Sequence, residues 1–153
     1  MDNKTIQFEI VTPERVVLKE EILQITVPTK MGEITVLPNH LPLVSSLLPG
    51  VVQVKKKNGE DEIISVSGGF LEVAKDKVII LADTAERAEE IDVARAEEAR
   101  ERARQLVSQA RPDAESFAQA SALLEKSLVR LRVANRARHR GHHVVGSEGI
   151  LPE

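Results

Sequence analysis

The sequence contains no cysteine, tryptophan or tyrosine, and only three phenylalanines among 153 residues. Without cysteine, the chain can form neither a disulfide framework nor a thiolate metal site or nucleophile. The scarcity of aromatic rings removes the stacking platforms on which bases bind. No apolar stretch approaches the roughly 20 residues that span a bilayer, and the N-terminus lacks a targeting pattern. We therefore expect a soluble or peripherally bound protein.

Charge is nearly balanced overall but is divided along the chain. There are 24 acids and 21 bases, a net charge of −3, so nothing indicates nucleic acid as a partner. Residues 86–101 carry seven acids, whereas residues 126–140 carry six cations and no acid. The two ends of the second half of the chain therefore present opposite charge.

Residues 6–82 have the pattern of short strands separated by turn residues. Ile6, Phe8 and Ile10 alternate with polar residues, as in a half-buried strand. Asn58-Gly59 separates two β-rich runs, which predicts a hairpin because both residues tolerate positive φ. The region predicts roughly nine or ten strands of sandwich type.

The composition changes at Asp83-Thr84, where β-branched runs give way to Ala, Glu, Arg and Leu. Asp83 or Thr84 is a candidate helix N-cap, and Pro112-Asp113 separates this helix from a second one. We predict a β-sandwich domain over residues 1–84, an antiparallel α-helical hairpin over 85–140, and, from its glycines, a disordered tail over 141–153.

The apolar seam predicted between the two helices buries little area. One helix contributes mostly alanine, and the other contributes Phe117, Leu124, Leu128 and Leu131. Alanine buries little apolar area, so we expect a weakly held hairpin that can detach and rearrange. On composition alone, an ordinary docked hairpin is the alternative. The alanine-helix positions are Ala96, Ala99, Ala103, Leu106 and Ala110.

A series of short segments recurs in a recognisable order over about residues 5–134. They are Val11-Thr12-Pro13-Glu14, Gly32-Glu33, Leu37-Pro38-Asn39-His40-Leu41-Pro42-Leu43, Pro49-Gly50, Ser67-Gly68-Gly69-Phe70-Leu71-Glu72-Val73, Ala85-Glu86-Arg87-Ala88-Glu89-Glu90-Ile91-Asp92 and Leu131-Arg132-Val133. In order and spacing the set resembles the epsilon subunit of bacterial F-type ATP synthases. It departs from that family's pattern at Ile34-Thr35-Val36 and beyond Ala137.

The resemblance implies a non-catalytic rotor subunit in the central stalk of a proton-translocating enzyme. It would bind the gamma subunit and the c-ring, couple c-ring rotation to the alpha/beta catalytic head, and inhibit ATP hydrolysis through its C-terminal helices. Membrane association would arise through the complex only, at the cytoplasmic face of the bacterial inner membrane. No nucleic acid partner is expected.

The resemblance also assigns contacts to partner subunits. Glu33 corresponds to the c-ring contact and His40 to the gamma contact, while Arg130, Arg132 and Arg136 would meet an acidic loop of the beta subunits. The residues alone favour a solvated turn acid for Glu33, whereas His40 is equally a turn histidine satisfied by backbone. The arginines are equally explained as favourable charge near a helix C-terminus.

The segment Ile91 to Ala96 is similar to one with which some family members bind ATP. Arg95 and Arg102 lie on one helical face, and Lys126 stands where relatives carry arginine, which keeps the charge but loses the planar fork. No cofactor is required, but ATP is a candidate regulatory ligand; a solvated Glu/Arg face is the alternative. The candidate residues are Glu86, Asp92, Arg95, Arg102, Lys126 and Arg130.

The inventory for catalysis is poor. Ser45 and Ser46, the serines nearest in sequence to His40, lie in no nucleophile motif, and no lysine and hydroxyl residue follow Gly68-Gly69 as a phosphate loop requires. We predict no catalytic residues and no metal site. Two alternatives to the rotor subunit remain: a small ATP-sensing protein that uses the Asp92/Arg95 face, and an unrelated β-sandwich adaptor with a helical tail.

Overall fold

The computed structural model describes residues 4–110 and 113–142, the last two for their backbone only. Nine strands lie in this part of the chain, followed by a 3₁₀ turn and two helices. The strands are β1 Ile6–Val11, β2 Val16–Thr29, β3 Gly32–Val36, β4 Leu43–Leu47, β5 Gly50–Lys56, β6 Asp61–Val66, β7 Gly69–Ala74, β8 Lys77–Ala82 and β9 Ala85–Arg87. The 3₁₀ turn is Ala88–Glu90, and the helices are α1 Val93–Gln109 and α2 Ala114–His142. The predicted architecture, a β-sandwich followed by an antiparallel helical hairpin, is confirmed.

The strands follow the order β1-β8-β7-β4-β2-β5-β6-β9, with β3 paired to β2. β2 has 14 residues and pairs with β1 near its start and with β3 and β5 near its end, so it joins the two layers. β1 also pairs with β8 in parallel. The core lies between the layers and is formed by apolar side chains, with Phe8, Ile25 and Leu71 among its fully buried members.

The predicted Asn58-Gly59 hairpin is confirmed, but only one of the two residues has positive φ. β5 and β6 pair in antiparallel register from Gly50↔Val66 to Lys55↔Asp61. Gly59 has φ +86°, whereas Asn58 contributes its side chain, whose Oδ1 accepts a hydrogen bond from the Glu60 N–H at 3.0 Å. The asparagine therefore stabilises the turn through its amide rather than through left-handed backbone.

The predicted start of the first helix at Asp83 or Thr84 is wrong. Residues 85–87 form β9, which pairs with β6, and the 3₁₀ turn follows. The cap is Asp92, whose Oδ1 accepts from the Arg95 N–H at 3.1 Å. Pairing with the open edge of β6 satisfies the backbone of residues 85–87, which outweighs their helical composition.

The second helix begins as the sequence suggests and ends later. The Asp113 carboxylate accepts from the Ser116 N–H at 2.8 Å, and this bond holds the pKa of Asp113 below its ordinary value. α2 continues through Gly141 to His142, two residues into the segment predicted as a tail. Residues 143–153 of that segment lie outside the described residues.

The helical hairpin packs on the outer face of β5 and β6. Val129, Val133 and Ala134 of α2 are buried there with Val51 and Ile63 of the sheet. The alanine seam on α1 is present, since Ala96 and Ala103 are buried between the helices. A second apolar cluster, separate from the sandwich core, therefore holds the hairpin against the sheet.

The predicted seam on α2 is wrong for two of its four residues, since Leu124 is half-buried and Leu131 is buried. Leu131 is buried, but Phe117 is 53% exposed and Leu128 is 42% exposed. α2 turns its valines to the sheet and Ala120 and Ser127 to α1, because small residues allow the two helices to approach closely. Phe117, Leu124 and Leu128 share one side of α2 by helical spacing, and Phe117 and Leu128 leave an exposed apolar stripe there.

Candidate interaction surfaces and a groove between the helices

An apolar face lies on the outer side of three neighbouring strands. Val44 of β4, Phe70 of β7 and Leu81 of β8 are 71%, 57% and 55% exposed. Phe70 is paired with Leu81 across the strands, and Val44 lies opposite Glu72, two residues along β7. Alternation places these residues on the side opposite the core. A contiguous exposed apolar patch of this kind marks an interaction surface.

His40 lies in the loop that leads into β4 and hence toward this apolar face. Its Nδ1 is 2.7 Å from the Leu41 carbonyl oxygen, so Nδ1 carries the proton and donates. Leu41 itself is 78% exposed, and Asn39 takes a left-handed φ of +64°. The half-buried imidazole is satisfied by backbone and sits beside an exposed leucine.

Glu33 lies at the tip of the β2–β3 hairpin. Its Cα pairs with Pro28, and its side chain is exposed. The Thr29 hydroxyl closes the tip by donating to the Gly32 carbonyl at 2.6 Å and accepting from the Met31 N–H at 3.2 Å. Met31 is 93% exposed, which the sequence reasoning missed, although a methionine between Lys30 and Gly32 in a turn is itself a signal. The tip thus presents one acid and one large apolar side chain.

A groove of about 300 Å³ lies between α1 and α2. Three of the six candidate ATP residues line it, namely Arg102, Lys126 and Arg130. The rest of the lining consists of small and apolar residues and one serine: Ala99, Ala103, Leu106, Leu123 and Ser127. Three cations beside an apolar floor suit an anion that carries an apolar or planar group.

The structure does not bring Asp92 or Arg95 into this groove. Arg95 is 83% exposed, and its Nε lies 3.7 Å from the Asp92 carboxylate. Asp92 is engaged as the cap of α1. These two residues therefore act as a local cap and an exposed ion pair in this structure.

Glu86, the sixth candidate, binds Arg130. Arg130 Nε donates to Glu86 Oε2 at 2.5 Å, and Nη2 donates to Oε1 at 3.1 Å. The side chains are only 19% and 30% exposed. Because Glu86 lies on β9 and Arg130 on α2, this bidentate pair ties the hairpin to the edge of the sheet.

A charged network underlies the hairpin where β5, β6 and β9 meet. Glu62, with a side chain only 12% exposed, accepts from Arg87 and lies 2.6 Å from Lys56 Nζ. Burial raises the pKa of the Glu62 carboxyl, but hydrogen bonds and positive charge from Arg87 and Lys56 outweigh it and leave that pKa below its ordinary value. The same pairing raises the pKa of Arg87 and Lys56. No motif signalled this network, because its members are distant in sequence.

Glu90 fixes the turn between sheet and hairpin. Its carboxylate accepts from Arg15 Nη2 at 2.8 Å and from the Arg87 N–H at 2.9 Å. The bond from Arg15 is the main cause that holds the pKa of Glu90 below its ordinary value. The start of the hairpin is therefore anchored to the β1–β2 loop as well as to β6.

Arg132 and Arg136 are exposed on α2 and face a broad groove beside β5. The groove has a volume of about 650 Å³, and its other lining residues are Gln53, Asn135, His139 and Arg140. Arg140 reaches the Asp61 carboxylate at 3.7 Å. In the described part of the chain, no carboxylate lies within ion-pair distance of Arg132 or Arg136. This basic face is therefore open to an acidic partner.

None of the helices in the described ranges is long and apolar enough to cross a membrane.

Comparison with known protein families gives two adjoining matches. Residues 5–88 match the β-sandwich domain of the ATP synthase delta/epsilon chain, and residues 89–135 match the long α-helix domain of the same chain. The matches meet within the 3₁₀ turn, where the structure passes from sheet to helices.

Individual proteins agree with these two family matches. The chain is 47% identical over 130 residues to the ATP synthase epsilon chain of Moorella thermoacetica, covering 85% of this chain and 96% of that one. It is 50% identical over 129 residues to the epsilon chain of Chloroflexus aggregans, covering 84% and 91%.

Among solved structures, a chain in the OSCP/F1/c-ring part of Euglena gracilis mitochondrial ATP synthase superposes with a TM-score of 0.72 at 29% identity, covering 89% of this chain and 82% of that one. A chain of the Tetrahymena thermophila mitochondrial central stalk and c-ring shares the fold, with a TM-score of 0.54 at 18% identity over 86% of this chain and 95% of that one.

Proposed function

Because the chain belongs to the epsilon-chain family of F-type ATP synthases, a component of the central stalk, we propose that it is a non-catalytic rotor subunit that couples c-ring rotation to the catalytic head and restrains ATP hydrolysis. The observation that carries the proposal is the apolar stripe of α2, which includes Phe117 and Leu128 and stays exposed while the hairpin is docked. An unburied apolar helix face needs a partner in some other position of the hairpin.

In this proposal the sandwich docks on the gamma subunit through the face formed by Val44, Phe70 and Leu81, with His40 beside it. Such a face supplies the apolar centre that a stable interface requires. The β2–β3 tip, with Met31 and Glu33, contacts the c-ring loops. The chain then sits at the cytoplasmic face of the bacterial inner membrane and is held there by its partners alone.

Restraint of hydrolysis comes from a released hairpin that lies along gamma and reaches the catalytic head. Arg130, Arg132 and Arg136 then meet an acidic loop of the beta subunits, which suits their common charge. Arg132 and Arg136 have no carboxylate partner among the described residues, whereas Arg130 must first leave Glu86. The docked hairpin is the permissive state.

ATP acts as a regulatory ligand that favours the docked hairpin. Arg102, Lys126 and Arg130 line one groove only while α1 and α2 lie side by side, so a bound triphosphate stabilises that arrangement by mass action. This groove also supports the second candidate function, a small ATP-sensing protein. Calorimetry of the chain with ATP tests it, and absence of heat at millimolar ATP excludes it.

The test of the rotor function is the ATP hydrolysis rate of a reconstituted catalytic head with gamma. It is measured without this chain, with the full chain, and with residues 1–90, which keep β9 and the 3₁₀ turn. We expect inhibition by the full chain, little inhibition by residues 1–90, and co-purification of both with gamma. Equal rates without co-purification contradict the proposed function.

A variant control separates docking from inhibition. Phe70→Asp places a charge at the centre of the apolar face and is expected to abolish co-purification with gamma. Phe117→Ser changes the α2 stripe and is expected to keep co-purification but lose inhibition. If Phe117→Ser inhibits like the wild type, the stripe is not the inhibitory contact.

A further inference from the structure

The ion pair between Glu86 and Arg130 joins two elements that the proposed function requires to separate. Glu86 is fixed on β9, where it pairs with Ser65 of β6, and Arg130 is on α2. Both carboxylate oxygens are engaged by the guanidinium. Bidentate charge-assisted pairs of this kind are among the stronger polar contacts, and limited exposure protects this one from screening by salt.

Arg130 also belongs to the groove between the helices. It is one of two guanidinium groups that line the groove, the other being Arg102, whose Nε is directed at the Glu98 carbonyl at 3.4 Å. The third cation is Lys126, which offers a point charge without a planar fork. The fork of Arg130 is therefore one of two in the groove that suit a phosphate group, and a carboxylate of the same chain already occupies it.

We propose that Glu86 is a built-in anion that latches the hairpin in the docked position without a nucleotide, and that a phosphate-bearing ligand must displace Glu86 from Arg130 to bind in the groove. The second half rests on the proposed regulatory role of ATP. Glu86 thus competes with the ligand for Arg130. The family resemblance had instead suggested that Glu86 itself contacts the ligand.

The competition fixes the direction in which loss of the Glu86 carboxylate changes the affinity for nucleotide. In the latched form, Glu86 occupies Arg130 and the ligand cannot bind. When a substitution removes the latched form, a smaller share of the ligand-free chain is unable to bind, so the apparent affinity for the ligand rises. The same removal lowers the docked fraction of the ligand-free chain. Glu86→Gln should therefore loosen the hairpin and tighten nucleotide binding, whereas loss of a true ligand contact would weaken binding.

Docking can be measured on the full chain because it has no native cysteine. The distance between spin labels at Lys57→Cys and Arg138→Cys reports docking. In the docked state α2 approaches the β5–β6 turn, where Arg140 lies 3.7 Å from Asp61. Both labelled positions are exposed. Without nucleotide, we expect one short distance in the wild type and an added long-distance population in Glu86→Gln and Arg130→Gln.

The matched control is Glu101→Gln, which removes an acid whose ion-pair partner among the described residues is Arg104, also on α1. It should give the wild-type distance distribution. A Glu86→Gln distribution that also equals the wild type overturns the latch. Circular dichroism of each variant establishes that the sandwich and helices remain folded.

Calorimetry with ATP then tests the competition. We expect the dissociation constant of Glu86→Gln to be about threefold to tenfold lower than that of the wild type, the range for displacing one charge-assisted pair. Saturating ATP should restore the short distance in Glu86→Gln but not in Arg130→Gln. Weaker ATP binding by Glu86→Gln overturns the competition and makes Glu86 a ligand residue. If no form binds ATP, the regulatory role of ATP fails, and the distance measurement alone decides the latch.

Discussion

At Gly69 the backbone leaves no room for a side chain. A Cβ there would overlap the carbonyl oxygen of Leu81 and come within 2.8 Å of the Ala82 Cα, and φ is +130°. The obstacles are backbone atoms of β8 and cannot rotate away. The close approach of β7 and β8 at this point also sets Phe70 beside Leu81 on the apolar face.

We therefore expect Gly69→Ala to lower the free energy of unfolding by at least about 3 kcal/mol, measured by urea denaturation. Gly59→Ala is the matched control, because Gly59 also has positive φ but has no atom within 4 Å of the added Cβ. It should cost about 1 kcal/mol. Equal losses in the two variants would show that φ alone, and not contact with β8, sets the cost.

Glu62 makes stability depend on pH in a defined direction. Its pKa in the folded chain lies below the ordinary value, so its contribution is complete above the unfolded pKa of about 4.3 and is lost as pH falls through the folded pKa. We expect Glu62→Gln to cost about 1–3 kcal/mol at neutral pH, because Arg87 and Lys56 lose their shared partner.

The difference between wild type and Glu62→Gln should shrink as pH falls from about 5 to about 3, measured by urea denaturation at each pH. Glu101→Gln controls for the loss of one negative charge at an exposed position. Parallel curves for wild type and Glu62→Gln over this range would rule out the Glu62 network as a source of acid sensitivity.

At the scale of elements, structures that depend on residues close in sequence were predicted correctly. Structures that depend on packing against a distant part of the chain were not. The β5–β6 hairpin follows from the Asn58-Gly59 dipeptide and the flanking β-rich runs, which lie close together in sequence. The start of α1 was misplaced because residues 85–87 have helical composition, and only the open edge of β6, distant in sequence, makes them a strand.

The face of α2 was misjudged for a related reason. α2 has two apolar stripes, one with Phe117 and Leu128 and one with Val129 and Val133, and periodicity cannot tell which of them meets the sheet. In the candidate site, Arg102, Lys126 and Arg130 line the groove, whereas Arg95, which helical spacing grouped with Arg102, does not. The partner of Arg130 was not predicted, since Glu86 is 44 residues away and was assigned to the ligand.

The two stripes predict losses of different size when their side chains are shortened. Val133→Ala removes methyl groups from a fully buried position against Val51 and Ile63, and we expect it to weaken hairpin docking by about 1–2 kcal/mol. Leu128→Ala removes more atoms, but from a side chain that is 42% exposed, and should cost less than about 1 kcal/mol. Hydrogen exchange of the α2 amides measures both. A larger effect of Leu128→Ala would mean that this stripe, not the valines, faces the sheet.

At the scale of the whole molecule, sheet and hairpin do not divide at residue 85, where the change in composition suggested a boundary. Arg87 and Glu90 follow that point, yet they bind Glu62 of β6 and Arg15 of the β1–β2 loop. The backbone of residues 85–87 completes the edge of the sheet beside β6. The sandwich therefore needs the chain as far as the 3₁₀ turn, and the part that moves in the proposed function begins after it.

This arrangement predicts different stabilities for two truncated chains. Residues 1–85 leave β6 with an open edge and Glu62 without Arg87, whereas residues 1–90 keep both contacts; neither chain retains the hairpin. We expect the shorter chain to unfold with a free energy about 2–4 kcal/mol lower and to self-associate through the exposed edge. Urea denaturation and sedimentation measure these two quantities.

The chain of residues 1–90 with Arg87→Gln separates the contribution of the Glu62–Arg87 ion pair from that of the strand pairing, because this variant keeps the edge of β6 covered. If residues 1–85 and 1–90 have the same urea midpoint, β9 adds nothing to the sandwich, and the movable part begins at residue 86.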